Sequence, residues 1–424
     1  MTITNHKLGG TIALMKIAYR NIWRNLRRTI FCISAVGIAV FFIVFYQSFI
    51  DGMTESIDNV VQIFDTGSVR VVSAQYEAEN EYMPVQYPVA NGENVDDLVK
   101  QLKSIEGVRE VFPRIFSYAT LQESVIKHAI LWGLKTEEEM KANHFNLTDR
   151  SNGIVEGRYP KPGSNECVIG SVFAQKTGLK IGDRIPLKTI SAQFSDKIWS
   201  PEIVGIFNFD YLKVDERYII VDFERLQRLL VLGDGTQQLV LFANDKKQSP
   251  AAAAKAAAMF GKDNVVRDWQ DNYWVAIIKS YEPLYTAIYL VFLIVASFLI
   301  INTVVMIIHE RIKEIGMMGS LGMTRREIVE VFFFEAFFLS AIGALAGILL
   351  GGILTGIGQF FPIRWMAMTG SGFIEIPASN ALFLSFSPIA LLRAWIMGVV
   401  VASIFTLIPS LKSAFVEPVE ALRR

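Results

Sequence analysis

Residues 284–308 run for 25 positions without one charged side chain. A bilayer core about 30 Å thick is crossed by about 20 apolar helical residues, and a helix satisfies its own backbone polar groups there. Three other stretches meet the same standard. Residues 29–50 are uncharged, residues 328–358 carry Glu330 and Glu335 near their start and no charge from Ala336 onward, and residues 388–408 carry only Arg393. The sequence therefore predicts an α-helical membrane protein with four transmembrane helices. A large domain, 51–283, is inserted between the first and the second.

The formal charge sums to zero, but the zero hides two opposite compartments. Residues 51–283 hold 26 Lys/Arg against 33 Asp/Glu, and the remainder holds 15 against 8. The basic residues sit beside the apolar runs, which suits a membrane surface and not a nucleic-acid partner, whose footprint would be one basic face. Lys7, Lys16, Arg20, Arg24, Arg27 and Arg28 precede the first span with no acidic residue. Arg311, Lys313, Arg325 and Arg326 lie between the second and third spans, and Lys412, Arg423 and Arg424 follow the fourth, whereas 359–387 holds only Arg364. The excess of Lys/Arg marks cytoplasmic segments. Both termini and 309–327 are thus expected in the cytoplasm, with 51–283 and 359–387 outside. The first run is longer than a signal-peptide core and lacks an A-x-A-like site, so it reads as an uncleaved anchor.

Ahead of that run, "MKIAYRNIWRNLRR" (15–28) places Lys16, Arg20, Arg24 and Arg27 on one helical face and Ala18, Ile22, Trp23 and Leu26 on another. This pattern predicts an amphipathic helix at the inner headgroup level. Helical apolar spacing also continues past the membrane edge, through Met53, Ile57, Val60, Val61 and Phe64 on one side and Trp269, Tyr273, Ile277, Tyr281 and Leu284 on the other. Two such helices side by side would form a stalk. Between them the pattern is α+β. "GSVRVVSA", "EIVGIFN" and "ERYIIVD" read as strands, "NVDDLVKQLKSIEG" and "SPAAAAKAAAMFG" as helices, and "IPLKTISAQFSDKIWSPEIVGIF" as two strands around a long turn. Prolines, Gly92 and acidic residues mark 76–95 as an exposed, mobile segment.

Reactive chemistry is hard to find. There is no G-x-x-x-x-G-K-[ST] phosphate cradle and no G-x-S-x-G. His6, His128, His144 and His309 lack ligand-like spacing, and Cys32 and Cys167 read as free thiols. No enzyme activity, metal or cofactor is expected in this chain. Two other features are positive. Gly343, Gly347 and Gly351 recur every four residues in the third run, with Gly352 and Gly356 repeating the step, and such a stripe lets a neighbouring backbone approach closely. The junction "HERIKEIGMMGSLGMTRREI" (309–328) closes one helix with Glu310, Arg311, Lys313 and Glu314, and bends through Gly316, Gly319 and Gly322. It then restarts with a Thr324/Glu327 capping box. A solvated linker would account for it. A docking element for a cytoplasmic partner fits better, since it joins two spans without slack.

That junction, followed by "FFFEAFFLSAIGALAGILLG", resembles the signature of FtsX-like permeases, the membrane subunits of MacB-type ABC transporters. The tail "PSLKSAFVEPVEALRR" and the opening "AYRNIWRNLRRT" are similar to theirs. "GSVRVV", "VREVFPRIFSYATL", "LWGLKTEEE" and "ECVIGSVFAQKTGLKIGDRIPL" resemble segments of the lipoprotein-releasing permeases LolC and LolE, with Ser68 where those have histidine.

The resemblance implies a MacB-like periplasmic α+β domain of two subdomains, in the inner membrane of a bacterium. It implies a separate cytoplasmic ATPase dimer that binds ATP and Mg, docked on Glu310, Arg311, Glu314, Gly316, Gly319 and Gly322. A second permease, identical or paralogous, would complete the complex. Stalks would carry ATP-driven movement outward (mechanotransmission), with extraction of lipoproteins as the expected work. Under the same resemblance the turn at 191–199, with Ser191, Phe194 and Trp199, is a candidate hook for a periplasmic lipoprotein carrier. Alternatives are MacB-like efflux of peptides or antibiotics, FtsX-like regulation of a cell-wall hydrolase and, from another class, a membrane-anchored sensor without an ATPase.

Overall fold

The structure is a computed structural model that describes residues 2–24, 26–121, 125–310, 317, 323–364 and 377–414. Its helices, numbered in chain order, are α1 (Thr2–Arg24), α2 (Leu26–Val61), α3 (Ala74–Ala78), α4 (Val95–Lys103), α5 (Thr136–Ala142), α6 (Ser171–Thr177), α7 (Leu212–Arg217), α8 (Phe223–Leu230), α9 (Ser249–Met259), α10 (Tyr273–Ser280), α11 (Glu282–Glu310), α12 (Arg325–Gly358) and α13 (Pro388–Ala414). Two compact units result, one of residues 1–52, 281–361 and 383–424, the other of 53–280 and 362–382.

The first unit is helical. Val36, Val40, Ile43 and Val44 of α2 bury themselves against Ala344 of α12 and Ala394 and Val399 of α13. The Trp395 indole donates to the Ala341 carbonyl at 3.2 Å, so the bulkiest side chain in that seam keeps its polar atom paired. Leu14, Ala18 and Ile22, one residue per turn, form the buried line of α1. Ile22 packs with Ile328, Phe332 and Leu339 of α12, while Trp23 and Leu26, which the sequence placed on the same face, are exposed. Leu349, Leu350 and Ile353 of α12 point outward, as an apolar helix does when its solvent is lipid. Among the described residues three helices are long and apolar enough to cross a membrane, starting at Thr29, Arg325 and Pro388. The expected count of four is therefore not established by these helices. The remaining run lies in α11, a continuous helix of 29 residues.

The second unit is built on an eleven-stranded sheet whose path is β11 (Asn264–Asp268), β1 (Val69–Ser73), β10 (Gln238–Ala243), β2 (Val108–Leu121), β3 (His128–Leu134), β9 (Tyr218–Asp222), β5 (Glu166–Gly170), β8 (Glu202–Phe207) and β4 (Ile154–Gly157). Off this path, β6 (Leu187–Ile190) pairs with the end of β2, and β7 (Asp196–Trp199) pairs with β6.

Both faces of the sheet are covered, and period-two alternation sorts the side chains between them. Val111, Ile115, Ala119, Leu131, Ile169, Ile219 and Leu239 enter one core, together with Leu98 and Leu102 of α4 and Ala252 and Ala256 of α9. Phe116, Ile130, Trp132, Val168, Tyr218 and Ile220 enter the other, together with Val60 and Phe64. Strands buried on two sides read as near-continuous apolar runs, which is why "ERYIIVD" was legible. Helix α4 starts on Asn94, whose side chain accepts from Asp96 N at 3.0 Å, and sets acidic residues in its first turn and lysines in its last, as the helix dipole favours.

Helix α2 passes into a π-helical turn, Gln62–Thr66, and ends at Gly67 with φ +63°. A side chain there would need a left-handed backbone and would stand 2.8 Å from the Leu241 carbonyl oxygen, so glycine alone allows the turn into β1.

Three expectations are corrected. Segment 76–95, expected to be exposed throughout, is exposed at 78–82 but anchored beyond them, because Val85 and Val89 are buried in the core and Val89 N donates to Thr236 O at 2.8 Å; isolated apolar anchors beside prolines leave no periodic signal. The 185–207 stretch holds three strands, not two. The second stalk stripe rotates. Trp269, Val275 and Ile278 pack with Ile57 and Val61, whereas Tyr273, Tyr281 and Leu284 are exposed. Trp269 is held in a short turn by its indole bond to Ser249 Oγ (3.1 Å), so the next helix starts on a different face from the one its spacing suggested.

Candidate functional site

Of the junction 309–328 singled out by sequence, Glu310 is the last residue of α11. Arg311, Glu314, Gly316, Gly319 and Gly322 lie outside the described residues. On its far side the capping box is present. Thr324 Oγ1 accepts from Glu327 N (3.3 Å), and Thr324 N donates to Glu327 Oε2 (2.8 Å). Two backbone donors that would otherwise be orphans at the start of α12 are thereby satisfied.

Gly343, Gly347 and Gly351 face α2. A Cβ added to Gly343 would stand 2.8 Å from Val36 Cβ and 2.9 Å from the Ile33 carbonyl oxygen, and one on Gly351 would stand 2.8 Å from Val44 Cγ1. The facing helix contributes a glycine of its own, Gly37, which the sequence reading did not single out. Gly352 and Gly356 lie on another side and would meet only side chains of Leu391 and Phe386. Of the charged residues in the apolar runs, Glu335 is buried within this unit and Arg393 is exposed.

In the second unit the turn at 191–199 divides into structural and accessible residues. Ser191 is buried, with its hydroxyl 2.7 Å from Ser195 Oγ. Trp199 is buried too, its indole donating to Asn165 Oδ1 and its ring under the Arg225 guanidinium. Phe194, at φ +56°, is 75% exposed. Ile190 and Ile198, missed by sequence, are also exposed. Antiparallel pairing sets Lys188 opposite Ile198 and Ile190 opposite Asp196, so these four share one face while Leu187 and Trp199 share the other. A strict period-two count would have found them. A Lys188–Asp196 ion pair at 2.8 Å crosses that face, leaving two isoleucines as its apolar content, with Phe194 exposed in the turn that joins the strands.

Two further features carried no sequence signal, because their parts come from distant segments. One is a cavity of about 650 Å³ with Phe64, Phe116, Tyr211 and Tyr218 in its wall and Arg70, Glu77 and Arg267 beside them. Glu77 pairs with Arg70 at 2.7 Å and with Arg267 at 2.5 Å, and Asp65 lies 3.6 Å from Arg70, so two carboxylates face the two guanidiniums. The other is Arg114 on β2, paired with Glu139 of α5, both fully buried. Burial pushes the Glu139 carboxyl up, and the guanidinium opposes that.

A third buried acid ties a loop. Asp215 of α7 accepts from Phe209 N (2.8 Å) and Tyr211 N (3.1 Å). Loss of hydration outweighs these donors and pushes its carboxyl up to about 7. The loop it holds receives segment 377–382, since Asn380 N donates to Asp210 O at 2.7 Å.

Comparison with known proteins agrees with this architecture. Residues 29–259 match the MacB-like periplasmic core domain and residues 286–418 the FtsX-like permease C-terminal family. The chain is similar to the lipoprotein-releasing system transmembrane protein LolC of Xylella fastidiosa, with 21% identity over 73% of this chain and 76% of that one. The ABC transporter permease YknZ of Bacillus subtilis is 26% identical over 81% of this chain and 84% of its own. The macrolide export ATP-binding/permease protein MacB 2 of Aeromonas hydrophila is 27% identical over 44% of this chain and 27% of its own. With one model covering more than half of the chain and the other most of the remainder, the chain belongs to the FtsX-like ABC transporter permeases that carry a MacB-like periplasmic core domain.

Proposed function

We propose that this permease extracts lipoproteins from the outer leaflet of a bacterial inner membrane, driven by a separate cytoplasmic ATPase dimer. The observation that carries the reading is similarity to LolC over about three-quarters of both chains. In this reading α11 supplies the fourth span, both termini are cytoplasmic, and two permease chains, identical or paralogous, flank the membrane site. The chain holds no cofactor of its own, and ATP and Mg sit in the partner. Glu310, Arg311, Glu314, Gly316, Gly319 and Gly322 form the ATPase contact, and α2 and α10 transmit its movement. The packing supports a lever better than a channel. The seam between α2, α12 and α13 is filled by Val, Ile and Ala side chains and closes up at Gly343, Gly347 and Gly351, the small-residue packing that holds helices together in lipid. The exposed face of Phe194, Ile190 and Ile198 is the surface offered to a periplasmic carrier.

Export by a MacB-like pump is the second reading, favoured by the shorter match to MacB 2. Purification of the intact complex decides between them. An ATPase that copurifies, together with retained lipoprotein, is the expected result. An outer-membrane channel in place of lipoprotein would favour export. Reversing Glu314 and enlarging Gly316 should abolish ATPase association, and unchanged association would remove the coupling assignment.

A further inference from the structure

Among the described residues, Arg114–Glu139 is the one ion pair with both side chains fully buried. Such pairs are poor stabilisers, because desolvation offsets most of the attraction. This one is also incompletely satisfied, with Arg114 Nη1 and Glu139 Oε2 buried and lacking hydrogen-bond partners. A site where an apolar core would serve stability as well or better must be explained by what the charge holds.

Besides Glu139, Arg114 holds a backbone carbonyl. Its Nη2 donates to Ile63 O at 2.7 Å, and Ile63 lies in the π-helical turn that ends α2. A π turn departs from the regular i to i−4 ladder and recurs at functional positions. The guanidinium lies 5.3 Å from the centre of the Trp132 ring, which fixes its plane. Its Nε also donates to Glu139 Oε1 at 3.0 Å, so one rigid fork serves carboxylate and carbonyl together, a task a lysine ammonium does not reproduce. Arg114 is also the residue of β2 that pairs with both β10 and β3, opposite Gln238 of the first and Leu134 of the second. A second polar contact of this turn with the sheet, Asp65 with Arg70 of β1 at 3.6 Å, is half exposed and so a weak tie; Phe64 against Trp132 is apolar, and apolar contacts resist sliding weakly because they have no direction.

We propose that Arg114 is a positioning residue, the joint that locks the outer end of α2 to the centre of the sheet so that displacement of the helix moves the domain as one body. Glu139 holds the guanidinium in register and is not itself the joint. The functional importance of the joint rests on the lever reading above; its mechanical role does not.

The test uses the full-length permease with spin labels at Glu55 on α2 and Thr120 on β2, both exposed. The variants are Arg114→Met combined with Glu139→Leu, which leaves no buried charge, and Arg114→Lys, which keeps the charge and loses the fork. The expected result is an unfolding temperature of the double variant equal to or above wild type, with a label-to-label distance distribution at least twofold broader. The lysine variant should fall between. Equal widths in all three proteins overturn the joint. If the double variant fails to fold, the lysine variant alone decides by the same criterion. In the complex with its ATPase, the double variant should bind and hydrolyse ATP as wild type does and lose transport at least fivefold; wild-type transport would also overturn the proposal. Absence of any ATPase from the wild-type complex would sink the transport reading and leave the label widths to judge the joint.

Discussion

A Cβ placed on Gly347 would stand 2.5 Å from the carbonyl oxygen of Gly37 and 3.1 Å from the Phe41 nitrogen. These are backbone atoms of a facing helix, and they cannot move without moving α2. Gly347→Ala should therefore cost about 1–3 kcal/mol, the usual penalty for overpacking, and Gly347→Val more. Gly352→Ala meets only the flexible end of Leu391 at 3.2 Å and should cost under about 0.5 kcal/mol. Thermal unfolding in detergent would separate the two; equal effects would show that the stripe is not a seam.

The start of α12 depends on reciprocal bonds between Thr324 and Glu327. Thr324→Ala should cost about 1 kcal/mol, seen as a lower unfolding temperature and faster amide exchange at Glu327 and Ile328. Thr324→Ser should retain most of the stability.

The Asp215 carboxyl, raised to about 7 in the folded state from 3.8, binds its proton more tightly in the folded chain than in the unfolded one. Its contribution to stability is thus present at low pH and is lost as pH rises through 7. Between pH 5 and pH 8 the fall attributable to this group is about 2–3 kcal/mol. Asp215→Asn should flatten that part of the pH–stability curve, which unfolding at a series of pH values would reveal. A slope unchanged in the variant would assign the pH dependence elsewhere.

The exposed face of the β6–β7 hairpin contributes little to folding. Ile198→Glu and Phe194→Gly should leave stability within about 0.5 kcal/mol of wild type, the second because glycine accepts φ +56° without strain. If a periplasmic carrier binds here, Ile198→Glu should weaken its capture at least tenfold in a pull-down with the intact complex. Trp199→Ala, by contrast, removes a buried ring and should destabilise by about 3–5 kcal/mol.

Much of this molecule could be read from one dimension. Uncharged runs of more than 20 residues imply spanning helices, because lipid cannot satisfy backbone polar groups. The Thr324/Glu327 cap was legible because both partners lie within one turn, and Gly343, Gly347 and Gly351 because a helix converts a four-residue step into a line. What each line meets was not legible. Gly37 opposite Gly347, Arg114 between Glu139 and Ile63, and Trp199 between Asn165 and Arg225 all join segments far apart in the chain. Periodicity reports which residues share a face; only packing decides which face is covered. The stripe through Tyr273 and Tyr281 shows this, since Trp269 is held in a short turn ahead of α10 and it is Val275 and Ile278 that are buried beside it. Sequence determined the elements and their membrane preference through local chemistry. The tertiary structure decided the contacts, because these depend on long-range geometry that no local spacing encodes.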